Sequence, residues 1–398
     1  MFLRQIFRGA FFGRHPCYSF IRPNKIIICT YYVKGRIVTS DLLNAVMKKI
    51  LSIVFLSIAY FFCFSQTDIA KKLVSEGVLL HDKGEYDYAL QKYDSAIAAD
   101  ALFIDAFYEK SFTLYAIKKY EACIDLSKQI IRQFPDNALL KSVYVQYGSS
   151  LDDLGKGAEA IKVYNEGLKK FPDYFLLLFN KGITYTVMHD DEKAYACFQN
   201  ALIANPLHAS SYFRIAAYLK SGNHIPAMLA SIMQLIIEPK SDRAVTSFNE
   251  LKELIYSNVK KTGDNSVTIS LDASMFDTKK TKKQPDNFHM EEMLFSLSTA
   301  LDKDSVMNTI TKTDIEKFDL KFQLMINSLS ENEKGFFKER YVPFFKKLKE
   351  NNFTNIVSRL VFANTKDETN AAWLQVYTDK TAEFYAWMRE YKWADKTQ

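Results

Sequence analysis

Residues 157–172 read GAEAIKVYNEGLKKFP, and residues 191–206 read DEKAYACFQNALIANP. Set one above the other, the two stretches repeat. Ala160 matches Ala194, Tyr164 matches Phe198, Gly167 matches Ala201 and Pro172 matches Pro206, each pair 34 positions apart. Gly148 with Gly182, Leu80 with Leu114 and Tyr86 with Tyr120 keep the same offset. A fixed period of this length, with small, aromatic and Pro residues in register, is what a stack of helix–turn–helix units requires. In the fourth unit Leu178, Gly182 and Tyr185 fall on one face of a first helix, and Ala194, Phe198 and Ala201 on one face of a second. The small residues let helix axes approach, and the large ones fill the space between neighbouring units. Pro206 cannot continue its helix and fixes the exit turn.

The pattern resembles the tetratricopeptide repeat family. Gly77, Gly84, Tyr86, Ala89, Tyr93 and Ala96 sit at its small and aromatic positions in a first unit. A second unit keeps Tyr120 and Pro135 but has Ser111 and Cys123 at two small positions, and a third keeps Gly148, Leu151, Gly155, Ala160, Tyr164 and Pro172 after about three extra residues. Tyr212, Ala216, Ala227 and Pro239 fit a fifth unit whose turn is one residue shorter. The resemblance covers roughly residues 70–240. It implies an all-α fold, a right-handed superhelical solenoid whose first helices line a concave face and whose units are stable mainly through their neighbours.

A second feature starts at Met47. Lys48 and Lys49 precede an uncharged apolar run from Ile50 to Phe64, and Ser65 follows before Gln66. A charged start, an apolar middle and a small-residue end describe a secretory signal peptide over 47–65. The alternative is a retained signal anchor, although the run is shorter than the roughly 20 residues that span a bilayer comfortably. Residues 1–46 are basic and without clean period, and are expected to be a disordered, over-extended N-terminus; the alternative is a basic cytoplasmic arm on an anchor.

The leader also decides what the net charge means. Of 52 Lys/Arg and 46 Asp/Glu in the chain, nine and one lie in residues 1–66, so the remainder carries 43 and 45. The +6 of the whole chain therefore gives no support for nucleic-acid binding. Cys123 and Cys197 are the two cysteines beyond the leader, two units apart and without metal-ligand spacing, and read as buried thiols rather than a disulfide or zinc site.

After about Lys260 the period fades. Residues 261–288 mix Gly, Asp, Asn, Ser and Thr with Lys279, Lys280, Lys282 and Lys283, a composition expected of a flexible linker; Val267–Leu271 alternates like a short strand. From Met290 the helical period returns and predicts a smaller helical C-terminal domain over 289–398, after a solenoid over 67–260. Thr313–Glu316, Ser330–Glu333 and Thr365–Glu368 read as capping boxes before apolar runs, the last opening a helix with Trp373, Tyr377, Phe384, Trp387 and Tyr391 as core.

No catalytic motif stands in the chain: no His-Glu-x-x-His, no Gly-x-Ser-x-Gly and no Gly-x-x-x-x-Gly-Lys. His189–Glu192 reads as a solvated turn and Glu291–Glu292 as favourable charge in a first helical turn. Neither a cofactor nor a metal is expected. The repeat alignment places Val74, Val78, Tyr108, Phe112, Tyr115, Val145, Phe179, Ile183 and Phe213 on the inner groove. The Lys and Asn set with which some repeat proteins clamp a terminal carboxylate is missing. An apolar, aromatic groove suits an amphipathic helix or hydrophobic peptide. The expected partner is another protein or peptide, or the chain's own C-terminal domain folded back, with a membrane involved only if the signal segment is retained. The alternative phase makes these residues inter-helix packing. The expected function is a non-enzymatic scaffold or assembly factor, periplasmic or secreted, or membrane-anchored by residues 47–65. The competing class is an enzyme with its active site in the C-terminal domain.

Overall fold

The computed structural model describes residues 31–33, 36–38, 40–263, 266–270, 285–300, 313–331 and 333–394. It divides into two compact units at Lys110/Ser111.

In the first unit, Tyr31–Val33 (β1) pairs antiparallel with Arg36–Val38 (β2). Helix α1 (Ser40–Asp82) follows, then α2 (Tyr86–Ala99) and the start of α3 (Ile104–Ala116). The expectation for residues 1–46 falls mostly outside the described residues, but its end carries regular structure. The stretch expected as a signal segment and the first repeat helix form one continuous helix, α1. Among the described residues no helix is long and apolar enough to cross a membrane. Ala70, Ala89, Tyr93, Ala96 and Ala106 form the core here. A Cβ on Gly77 would stand 2.4 Å from the Tyr93 ring, so glycine is what lets this pair of helices close.

The second unit continues the repeat with α4 (Tyr120–Gln133), α5 (Leu140–Asp153), α6 (Gly157–Lys170), α7 (Phe175–Val187), α8 (Asp191–Ala204), α9 (Ala209–Leu219) and α10 (His224–Ile237). The glycine-against-aromatic contact recurs: a Cβ would meet the Tyr164 ring at 2.3 Å from Gly148 and the Phe198 ring at 2.6 Å from Gly182. In the second pair both sides of this contact are small, and the Ser111 hydroxyl lies 3.4 Å from Ser127 and 3.3 Å from the Cys123 sulfur. Cys123 and Cys197 are buried free thiols. The turn before α6 carries Gly155 at φ +73°, a left-handed conformation that costs glycine nothing.

Helix α11 (Asp242–Tyr256) follows the fifth pair and buries Ala244, Ser247, Leu251, Leu254 and Ile255. Beyond it the region expected to be a flexible linker begins with an antiparallel hairpin, β3 (Val259–Gly263) with β4 (Ser266–Ile269), in which Val259 faces Ile269. The lysines at 279–283 lie outside the described residues. The C-terminal helices are α12 (His289–Ala300), α13 (Asp314–Ser328), α14 (Phe336–Glu350), α15 (Thr354–Val361), α16 (Glu368–Val376) and α17 (Thr378–Glu390).

Of the three expected capping boxes, Thr313 with Glu316 forms one. Ser330 does not cap: its hydroxyl donates to Glu291, and α14 begins at Phe336 with Asp286 accepting from the Phe337 and Lys338 amides. At the third site Asp367, not Thr365, caps the helix by accepting from the Asn370 amide. The expected single last helix is two, α16 and α17, broken at Tyr377.

The C-terminal helices and the end of the repeat array share one hydrophobic core, which runs from Phe198 and Tyr212 through α10 to Phe344, Val357 and Phe384. Helix α10 lies at its centre, and every residue from Ile225 to Ile236 is buried. No charged side chain stands between His224 and Glu238, so the helix has no polar face to give to water. Helix α12 is the reverse case. It buries Glu291, Glu292, Ser296 and Thr299 with Phe295, and exposes Met290, Leu294 and Leu297.

Candidate functional site

The nine residues expected on the inner groove lie on first helices of the pairs. In the first unit Val74 is buried with the core of its own pair and Val78 packs against that core, while Tyr108 is half-buried. In the second unit Phe112 is 42% exposed. Tyr115, Val145, Phe179, Ile183 and Phe213 are half-buried.

Their surroundings differ. The Tyr115 ring lies 5.7 Å from that of Tyr120 and its hydroxyl donates to Asp153; burial and this carboxylate push the phenol well above its ordinary pKa. Phe179 is flanked by Phe198 at 5.6 Å and by the His208 ring at 4.7 Å. Burial, with Arg243 nearby, pushes His208 down to about 4, so the imidazole is neutral at pH 7 and joins the Ser211 hydroxyl at 2.8 Å. The Arg243 guanidinium sits 5.9 Å from the Phe213 ring and pairs with Glu238 at 2.5 Å. First helices thus carry a run of aromatic and aliphatic side chains that their neighbours cover only in part.

Asp190 accepts from the Lys193 amide at 3.3 Å and caps α8, and His189 takes φ +58° in the turn before it. Among the described residues no group of three or more His, Cys, Asp or Glu could hold a metal ion.

The C-terminal helices occupy another surface. They seat on α10, a second helix, where the Tyr385 hydroxyl donates to the Ile236 carbonyl at 2.9 Å, and just before α11 the Asn364 amide donates to the Ser241 carbonyl at 3.1 Å. At the buried side of α9, Tyr212 donates to the Pro206 carbonyl and shares a 3.1 Å hydrogen bond with Tyr341. This seat differs from the first-helix groove into which a folded-back C-terminal domain was one expected occupant.

Sequence reasoning missed two buried polar clusters, one inside the C-terminal layer and one that joins it to α10. Glu291 pairs with the Lys338 ammonium, whose side chain is 0% exposed, at 2.5 Å, and Glu333 pairs with the same ammonium at 2.8 Å. Burial pulls the Glu291 carboxyl up, but the bonds from Lys338 and Ser330 outweigh it and hold the group below the ordinary value. Glu292 lies 2.6 Å from His224 Nδ1 and accepts from the Asn258 amide at 2.9 Å. Glu291 and Glu292 do stand in a first helical turn, as the sequence suggests, but as buried partners and not as solvated charge. The uncharged stretch from Ile225 to Ile237 was the available sign that something covers α10.

Paired helices with small-against-aromatic contacts, stacked at a regular period, make this an all-α fold of repeated helix–turn–helix units. No protein-family model matches the chain, and no curated protein does. Several solved structures are similar to under half of the chain. TTC0263, a tetratricopeptide protein of Thermus thermophilus, is 21% identical, with 46% of this chain and 99% of that one covered and a TM-score of 0.38. MamA from Desulfovibrio magneticus RS-1 is 15% identical, over 48% of this chain and 97% of that one, with a TM-score of 0.35. YrrB, described as a tetratricopeptide protein with an unusual peptide-binding site, is 17% identical, over 44% and 90%, with a TM-score of 0.33. At these values none of their functions transfers to this chain.

Proposed function

We propose that the protein is a non-enzymatic interaction scaffold, or assembly factor, that holds an extended peptide or amphipathic helix of another protein on the first-helix face of its repeats. The observation that carries this reading is the row of apolar side chains left partly open there, led by Phe112 at 42% exposure and followed by Val145 and Ile183. Second helices of the same repeats turn charged residues such as Lys162, Glu166 and Lys169 outward instead. Partly open apolar positions on successive helices are what anchors spaced three to four residues apart require. The lysine start and apolar run after Met47 support export to a periplasm or beyond, with residues 67–260 as the binding module.

A photoreactive amino acid placed at Phe112, Val145 or Ile183 of the full chain is expected to cross-link one cellular protein. The same group at Lys128 or Lys162, on second helices, is expected to give no product. Equal labelling from both sets, or none from the first, overturns the reading. N-terminal sequencing of the mature protein from fractionated cells tests the compartment: a start at Gln66 or nearby fits export, and an intact leader in a cytosolic fraction overturns it.

A further inference from the structure

The apolar row on the first-helix face has acids set among its side chains. In the second unit Asp152 stands two helical turns after Val145, on the same side of α5, and is half-buried. Thr184 of α7 is hydrogen-bonded to it. Its neighbour Asp153 accepts from the hydroxyls of Tyr115 and Tyr120, and Tyr115 stands one turn from Phe112 on α3. In the first unit Glu109 follows Tyr108 on α3 and is half-buried, with Asp105 one turn before it.

Among the described residues no Lys or Arg pairs with either Asp152 or Glu109. Burial, and then Asp153, push the Asp152 carboxyl above its ordinary value against the pull of the Thr184 bond. Burial, and then Asp105 and Asp82, push Glu109 the same way. The charges acting on the two are thus negative. A carboxylate partly removed from water beside like charge gains from a cation brought to it.

The basic groups beside Phe213 have little to give an acidic partner. Arg243, over the Phe213 ring, is bound to Glu238 and Ser210, and Lys220, two turns along α9 from Phe213, pairs with Glu250 at 2.9 Å. Arg214 lies off the row, in a recess that it shares with Tyr218 and Asp191. The open charge among the row is therefore negative, and a neutral or acidic segment would leave it unmatched. Resting on the docking face proposed above, we infer that the segment held there is a basic amphipathic helix of another protein. Its apolar side meets the row, and its Lys or Arg side chains lie beside Asp152 and, in the first unit, Glu109.

The test uses the full chain and three synthetic helical peptides with the same apolar positions, spaced three to four residues apart, and with lysine, glutamine or glutamate on the polar side. Calorimetry is expected to give saturable binding of the lysine peptide about tenfold tighter than that of the glutamate peptide, a margin that shrinks as salt rises. Asp152→Asn with Glu109→Gln is expected to remove most of that margin, while the glutamine peptide binds as before and circular dichroism is unchanged. Either single variant decides should the pair fail to fold. Equal binding of the three peptides, or a preference for glutamate, overturns the basic partner and leaves the docking face standing. So does a lysine preference that the folded variants keep in full. Failure of all three peptides to bind, or a dimer of the chain that shuts them out, overturns the docking face as well.

Discussion

Helices α6 and α10 hold the same place in the third and fifth repeats, and they live in different surroundings. Registered on Ala160 with Ala227 and Pro172 with Pro239, the outward residues Lys162, Asn165, Glu166 and Lys169 of α6 correspond to Leu229, Ile232, Met233 and Ile236 of α10. The first four are exposed and the second four are buried. The inner contact changes as well. Tyr164 and Gly167 of α6 give way to Ser231 and Gln234, and Gly148 on the first helix gives way to Ala216. A repeat position therefore fixes which way a side chain points. What it points at, water or another layer of protein, is fixed by what the chain does later.

Two substitutions sharpen this comparison. Ile232→Asp puts a carboxylate where the side chain is now 1% exposed, and is expected to cost about 5 kcal/mol and release the C-terminal helices to proteolysis. The matched change in α6, Asn165→Asp, is expected to stay within about 0.5 kcal/mol by the same denaturation measurement. Equal losses at the two sites would remove the distinction between them.

Next comes the clasp inside the covering layer. Lys338→Met strands Glu291 without its buried partner, and is expected to cost about 3–5 kcal/mol, most of which Lys338→Met with Glu291→Met recovers. The acid limb carries the sign. Because the folded Glu291 carboxyl titrates below 4.5, the pair's contribution is full above that value and is lost as pH falls through the lowered one. Acid titration of the double variant is expected to lack this loss.

A smaller loss than the clasp's lies in the inner contact. Gly148→Ala forces a methyl against the Tyr164 ring and is expected to cost about 1–3 kcal/mol. Ala216→Gly, the opposite change at the corresponding position of the fifth pair, is expected to cost about 1 kcal/mol, through backbone freedom and a lost methyl. A stabilising Gly148→Ala would show that the close approach is not required.

The helix pairs were legible because their signals are local. Glycine against aromatic at fixed spacing and proline at the exit leave few other arrangements, and the shortened turn before α10 was visible in the offset of Ala227 and Pro239. The Thr313–Glu316 cap was legible for the same reason. Ser330 misled because a hydroxyl followed by an acid three residues on is a weak signal. A buried carboxylate 39 residues earlier in the chain, Glu291, took the hydroxyl instead. Of the groove residues, the sequence set their place on first helices. It did not set how far Phe179 would be enclosed by Phe198 and His208, or Val74 by its own pair.

Periodicity by itself determined the helix–turn–helix units, their small and aromatic contacts and which residues share a face, because each depends on neighbours within about one repeat. Only the tertiary structure decided that the C-terminal helices cover α10 and that Glu291 and Glu292 find Lys338 and His224. Those pairings join residues brought together by the folded backbone alone, and no spacing along the chain encodes such a meeting.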